Sequence, residues 1–238
     1  RADRTGLPRY RMTAGEILAA ADKAVALGYG TVVLQSGEDW SIEARWLAEV
    51  IRRIKAETPL AITLSLGERT NDELALWRDA GADRYLLRFE TSNKALFARI
   101  HPARPGAEPR DRLAILRYLR AMGYEIGSGV MVGIPGQSLD DLARDIELFG
   151  ELDLDMIGLG PFIAHPDTPL GRDGQAWCLP PGEQAPADEL TGCKAVALAR
   201  IVCPRANIPS TTALATLNAE GGRQLGLARG GNVVMPNL

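Results

Sequence analysis

Polar side chains recur at the C-terminal ends of otherwise apolar runs in this chain. TVVLQS (31–36) ends on Gln35 and Ser36 and runs on into Glu38 and Asp39. AITLSL (61–66) carries Thr63 and Ser65 and leads to Glu68. RYLLRFE (84–90) sets Arg88 and Glu90 two residues apart, on one side of an extended chain. IGSGVMVGI (126–134) leads through Gly133 to Gly136 and Gln137, and IPSTTA (208–213) offers Ser210, Thr211 and Thr212. Polar groups inside buried strands are costly without partners. Thr63, Ser65, Arg88, Glu90 and Thr211 gathered on one rim therefore predict a polar ligand held there. A purely structural reading stands beside this one. In it Arg88 and Glu90 pair with each other, the hydroxyls bond to neighbouring backbone, and Gly133 and Gly136 are turn glycines.

Other chemistries find little support. His101 and His165 are the only histidines, each next to a proline, which argues against metal ligation or base catalysis. Cys178, Cys193 and Cys203 lack the close spacing of zinc or iron–sulfur motifs. No phosphate loop, His-Glu-x-x-His helix or Gly-x-Ser-x-Gly elbow occurs. Asp39 and Glu68 have the chemistry of an acid–base pair, but nothing distinguishes them from a solvated rim.

The elements that must position these residues alternate. The apolar runs continue with MIGLGPF (156–162) and NVVM (232–235), and short, near-continuous runs of this kind read as strands buried on both faces. Between them lie helical patterns over 41–56, 71–80, 110–122, 139–152, 187–201 and 220–228. A further helix begins after Thr13, which with Glu16 forms a capping box, and stops at Gly28. Strand–helix alternation implies a parallel sheet with right-handed crossovers. Seven such strands suit an α/β fold of the (β/α)8 TIM-barrel type that lacks its first strand, with chemistry at the C-terminal strand ends. Residues 171–186, GRDGQAWCLPPGEQAP, read as a long loop over the mouth of the barrel.

Composition narrows the class. The 238 residues are 46% hydrophobic and 24% charged, with a formal net charge of -3, ordinary values for a folded domain. The near-neutral balance predicts neither nucleic-acid nor membrane binding. No apolar run reaches the roughly 18 residues of a membrane helix. With only three cysteines and no leader, a cytoplasmic protein forming one domain over 1–238 is expected. The chain opens on Arg1 and closes on Met235-Pro236-Asn237-Leu238, and both ends read as cut.

Several segments together resemble a known family. RYRMT (9–13), VLQSGED (33–39), TLSLGE (63–68), GADRYLLRFET (81–91), MVGIPGQS (131–138), GLGPFIAHPDTPL (158–170), NIPSTTALAT (207–216) and GGNVVMPN (230–237) look like the radical-SAM E-type maturase of [FeFe]-hydrogenase. That family is a relative of biotin synthase and methylornithine synthase. The resemblance implies a radical-SAM barrel using S-adenosylmethionine and a [4Fe–4S] cluster to make a 5′-deoxyadenosyl radical. By position, Glu90 matches an acidic contact to S-adenosylmethionine and Arg112 the arginine that grips its carboxylate. Ser65 matches a further cofactor contact, and Met131, Val132, Gly133 and Ile134 match the strand along its adenine. Arg88, Thr63, Thr211, Thr212 and Met235, with Gln35 and Ser36 on the same rim, match the substrate cavity. The implied substrate is small or organometallic, a precursor of the hydrogenase diiron centre, and other hydrogenase maturation proteins are the implied partners.

The resemblance also implies a three-cysteine cluster loop, expected upstream of Arg1, so no metal ligand is expected in this chain. As written, the chain is then expected to be inactive. Two alternatives remain open at this point. One is a related radical-SAM enzyme acting on an amino acid, like methylornithine synthase or biotin synthase. The other is a non-catalytic barrel that binds a small anion.

Overall fold

The computed structural model describes residues 10–102 and 110–234. The described residues divide into two compact units, one comprising 10–87 and 112–126, the other 88–102, 110–111 and 127–234.

In the first unit the parallel strands β1 (Thr31–Gln35) and β2 (Ala61–Ser65) pair over their full length, from Thr31 opposite Ala61 to Gln35 opposite Ser65. β2 then pairs with β3 (Arg84–Leu86), placing Thr63 opposite Arg84. The opening of β4 (Glu125–Val132) follows, with the Glu125 N–H donating to the Asp83 carbonyl at 3.1 Å. Ile62, Thr63 and Leu64 are all buried, as expected of a strand covered on both faces. Helices α1 (Ala14–Ala26), α2 (Ala44–Glu57) and α3 (Asn71–Asp79) connect and cover the strands. Thr13 with Glu16 and Thr70 with Glu73 form full capping boxes that satisfy otherwise orphaned N–H groups. α2 buries Leu47, Ala48, Val50, Ile51 and Ile54 along one face. Trp77, Tyr85 and Tyr124 complete this core, the tyrosine hydroxyls donating to the carbonyls of Gly67 and Leu74. This unit also contains α5 (Arg112–Ala121), α4 (Lys94–Ile100) falling in the other.

In the second unit the remainder of β4 pairs in parallel with β5 (Met156–Pro161), from Gly127 opposite Met156 to Val132 opposite Pro161. The approach at Gly129 is so close that a Cβ there would lie 1.8 Å from the Gly158 carbonyl oxygen. α6 (Leu139–Glu151) starts from a Ser138–Asp141 capping box, and α8 (Glu189–Val202) and α10 (Gly222–Ala228) follow the predicted pattern within a few residues.

Three expectations change. The strand expected over 84–90 ends at Leu86, because the Phe89 N–H donates to the Ser128 hydroxyl and Glu90 turns into the left-handed region at φ 64°. The sixth and seventh expected strands shrink to single parallel bridges, Met156 with Asn207 and Pro209 with Val233. Thr211 and Thr212 consequently stand at the start of α9 (Thr212–Leu217), not in a strand. The expected loop over 171–186 contains the end of α7 (Pro169–Asp173) and a 3-10 turn over Gly174–Trp177. Among the described residues, no helix is long and apolar enough to cross a membrane.

Candidate functional site

Two polar clusters stand at the strand ends, one in each unit. In the first, β1 and β2 each finish in a Gly-Glu pair whose glycine is left-handed, Gly37 at φ 66° and Gly67 at φ 74°. That conformation suits glycine and brings both acids back towards Arg112. Arg112 Nε donates to Glu68 at 2.7 Å and its Nη2 to Glu38 at 3.1 Å. The other oxygen of Glu38 accepts the Glu68 backbone N–H at 3.0 Å. Arg112 is only 7% exposed, so these charge-assisted bonds provide the counter-charge its burial requires.

The remaining residues of this unit are placed less tightly. Gln35 and Ser36 are exposed at the end of β1, Ser36 donating its N–H to the Ser65 carbonyl. Ser65 is half-buried opposite Gln35, and Thr63 is buried in the middle of β2. Asp39 is a turn residue. Bonds from the Ser41 hydroxyl and backbone, with the Arg11 guanidinium, hold its carboxyl below the usual range.

In the second unit the Arg88 guanidinium lies 3.2 Å from a Glu90 carboxylate oxygen and donates to the Val130 carbonyl at 2.6 Å. The pairing named in the structural reading is therefore present, without the strand geometry expected to produce it. Glu90 donates its N–H to the Gly129 carbonyl, and its left-handed backbone costs on the order of 1–3 kcal/mol for an L-residue. Of the four matched residues at the end of β4 and in the turn after it, Val132, Gly133 and Ile134 are buried, leaving Met131 half-exposed. Opposite Met131 lies Gly160, whose missing side chain makes room for Thr211: a Cβ on Gly160 would stand 2.5 Å from the Thr211 hydroxyl. That hydroxyl is buried with no hydrogen-bond partner among the described residues. Such a group is rare without a ligand or water to satisfy it. Thr212 is exposed, and Met235 lies outside the described residues.

Sequence reasoning named Glu38 and Gln137 at strand ends without giving either a role, and missed Asp145. The first had a visible signal in the repeated Gly-Glu, and Gln137 stood next to the flagged glycines. Asp145 had none, since its position on α6 reads as an ordinary surface acid.

The cysteines do not form a metal site. Cys193 and Cys203 are buried free thiols, and burial pushes both upward, away from the thiolate a metal needs. Cys178 is exposed. Among the described residues, no group of three or more His, Cys, Asp or Glu side chains could hold a metal ion.

Comparison with known proteins adds to this geometry. Residues 2–149 match the radical SAM superfamily. The chain is 45% identical over 237 residues to the [FeFe] hydrogenase maturase subunit HydE of Thermotoga maritima, covering 100% of this chain and 64% of that protein. It is 26% identical to the 3-methylornithine synthase of Methanosarcina acetivorans, over 95% of this chain and 60% of that one. The chain thus spans less than two thirds of these relatives. Among solved structures, methylornithine synthase superposes with a TM-score of 0.78 at 25% identity, over 96% of this chain and 63% of the other. The fold alone is shared with the [FeFe]-hydrogenase maturase HydG, at TM-score 0.72 and 15% identity, over 98% of this chain and 51% of HydG.

Proposed function

The chain belongs to the radical SAM superfamily, and we propose that its activity is the radical processing of a precursor of the [FeFe]-hydrogenase diiron centre. The observation that carries this reading is the 45% identity to HydE across the whole chain. The superfamily's cofactors are S-adenosylmethionine and a [4Fe–4S] cluster. Together they supply a 5′-deoxyadenosyl radical. The described residues do not fit the cluster, for want of a ligand set. For S-adenosylmethionine the proposed contacts are taken residue by residue.

Arg112 carries the charge and planar fork for the cofactor's carboxylate, in competition with Glu38 and Glu68. Glu90 offers a carboxylate for its cationic end, and Ser65 a short polar contact. Met131 and the backbone to Ile134 offer an apolar edge for the adenine. The substrate cavity is assigned to Gln35, Ser36, Thr63, Arg88, Thr211, Thr212 and Met235, with a small organometallic ligand as occupant. In support, the buried Thr211 hydroxyl lacks a protein partner among the described residues. The partners proposed are other hydrogenase maturation proteins.

The experiment is anaerobic reconstitution of the complete gene product, with dithionite and S-adenosylmethionine, followed by assay for 5′-deoxyadenosine. Formation of that product, together with a requirement for the protein in hydrogenase maturation, supports the reading. A full cluster with no 5′-deoxyadenosine overturns it. The structural likeness to methylornithine synthase favours a second reading, an amino-acid substrate, which appearance of an amino-acid product without any effect on maturation would establish.

A further inference from the structure

A single buried carboxylate in the second unit is shared by two turns. Asp145 lies on α6 with no solvent exposure. One of its oxygens accepts the Ser92 backbone N–H, and the other accepts the Gln137 side-chain amide at 3.1 Å. Gln137 is equally buried, and its carbonyl oxygen accepts the N–H groups of Gly133 at 2.7 Å and Ile134 at 3.2 Å. The orientation of the amide follows from its neighbours. Its NH2 is drawn to the carboxylate, so its oxygen must face the two backbone donors; the reverse would set donor against donor at one end and acceptor against acceptor at the other.

The turns joined in this way are the ones that matter to the proposed cofactor. Ser92 follows Glu90 by two residues, and the left-handed backbone at Glu90 persists only where its surroundings hold it. α6 reaches the same turn a second time, where the Asn93 side-chain amide donates to Asp141 at 3.1 Å. Gly133, at φ 80°, fixes the bend after β4, and Ala187 packs so close that a Cβ on Gly133 would lie 2.5 Å from its backbone. An unpaired carboxylate this deep is strongly disfavoured, and a leucine would fill the space without that cost. The acid is explained by the three backbone donors that it and Gln137 satisfy between them.

We propose that Asp145 and Gln137 are positioning residues that hold the Glu90 turn and the Gly133–Ile134 turn in one fixed arrangement for binding S-adenosylmethionine. The proposal rests on the reading above, which gives both turns to that cofactor. If either link is cut, the Glu90 turn keeps its bonds to Gly129 and Asp141, but the two turns are held less firmly against each other and the competent arrangement is occupied only part of the time. Apparent affinity falls by that fraction.

The bonding pattern supplies its own rescue. Asp145→Asn leaves one acceptor for two donors, and Gln137→Glu sets two carboxylates against each other. In the double variant, Gln137→Glu with Asp145→Asn, every bond returns with one reversed. The new amide at position 145 donates to the new carboxylate at position 137 and still accepts from Ser92. That carboxylate in turn still accepts from Gly133 and Ile134. Titration calorimetry of S-adenosylmethionine into the complete gene product reads the effect, with Val196→Ala as a buried control on α8, away from both turns. The expected result is a Kd raised about tenfold in each single variant, as when the competent state is occupied about a tenth of the time, and largely restored in the swap. Val196→Ala should lower the melting temperature and leave Kd alone. Amide exchange at Ser92, Gly133 and Ile134 should rise in the single variants and recover in the swap. Wild-type Kd in the single variants, or no recovery in the swap, overturns the positioning role while the cofactor reading stands. A wild-type protein that does not bind S-adenosylmethionine overturns both.

Discussion

The carboxylate of Glu38 occupies the space that a side chain on Gly67 would need: a Cβ there would lie 2.4 Å from the Glu38 carboxyl carbon. Gly67→Ala therefore does two things. It places an alanine at φ 74°, and it pushes Glu38 away from Arg112 and the Glu68 N–H. We expect a loss on the order of 1–3 kcal/mol of folding stability, measured by denaturant titration, with Gly37→Ala costing less because nothing lies within 4 Å of its Cβ.

Arg112→Ala removes a charged hydrogen-bonding group from the proposed carboxylate contact. Affinity for S-adenosylmethionine should fall by on the order of 1.5–3 kcal/mol, read by calorimetry. Arg112→Lys should recover little, since an ammonium cannot reproduce the two-pronged bonding of Nε and Nη2. Unchanged affinity in the alanine variant removes the assignment.

Glu90→Gln should leave the fold intact, because the left-handed turn is held by backbone bonds to Gly129 and Asp145 that do not involve the side chain. The melting temperature should stay close to the wild type while 5′-deoxyadenosine production by the reconstituted complete protein falls. Full turnover would remove Glu90 from its role.

Thr211→Val exchanges a buried hydroxyl without a protein partner among the described residues for a methyl of similar size. Stability should stay within about 0.5 kcal/mol or rise, since no bond is lost. Affinity for the substrate should drop. A variant that is clearly destabilised would show that the hydroxyl has a structural partner.

Burial raises the Asp145 carboxyl to about 6, and the charge of Asp141 adds to the effect, while bonds from Ser92 and Gln137 oppose it. Its folded value lies above its unfolded one near 3.9, so the folded state holds the extra proton between these limits. The contribution of this group to stability therefore declines as pH rises from about 4 to 6, by on the order of 2–3 kcal/mol. Asp39, Glu73 and Asp188 are lowered and act in the opposite sense, so the effect is read as a difference. The wild-type advantage over Asp145→Asn should shrink across that window and level off above it.

Much of the scaffold was readable because its signals are local. Thr13 with Glu16 and Gly28 bracket α1 within a residue or two, and β1 and β2 follow from short apolar runs. The failures arise where distant groups decide. β3 stops early because the Ser128 hydroxyl, on another strand, takes the Phe89 N–H in place of a backbone carbonyl. The sixth and seventh strands have the right composition but only one bridge each. Thr211 and Thr212 read as β-branched strand residues yet begin a helix. The site shows the same division. Arg112 could be named, but Glu68 and Glu38 lie 44 and 74 residues away, and no local pattern joins them to it.

An arginine enclosed by two glutamates is a poor trap for simple anions. The carboxylates of Glu38 and Glu68 already take the Nη2 and Nε donors of the guanidinium, so phosphate, sulfate or chloride would have to displace one of them. A guest bearing an ammonium next to its carboxylate arrives with its own compensation. It can exchange its acid group for a resident glutamate and offer that glutamate a new cation. For the carboxylate contact proposed for Arg112, this favours a zwitterionic guest over a simple anion, and the two glutamates keep the guanidinium paired.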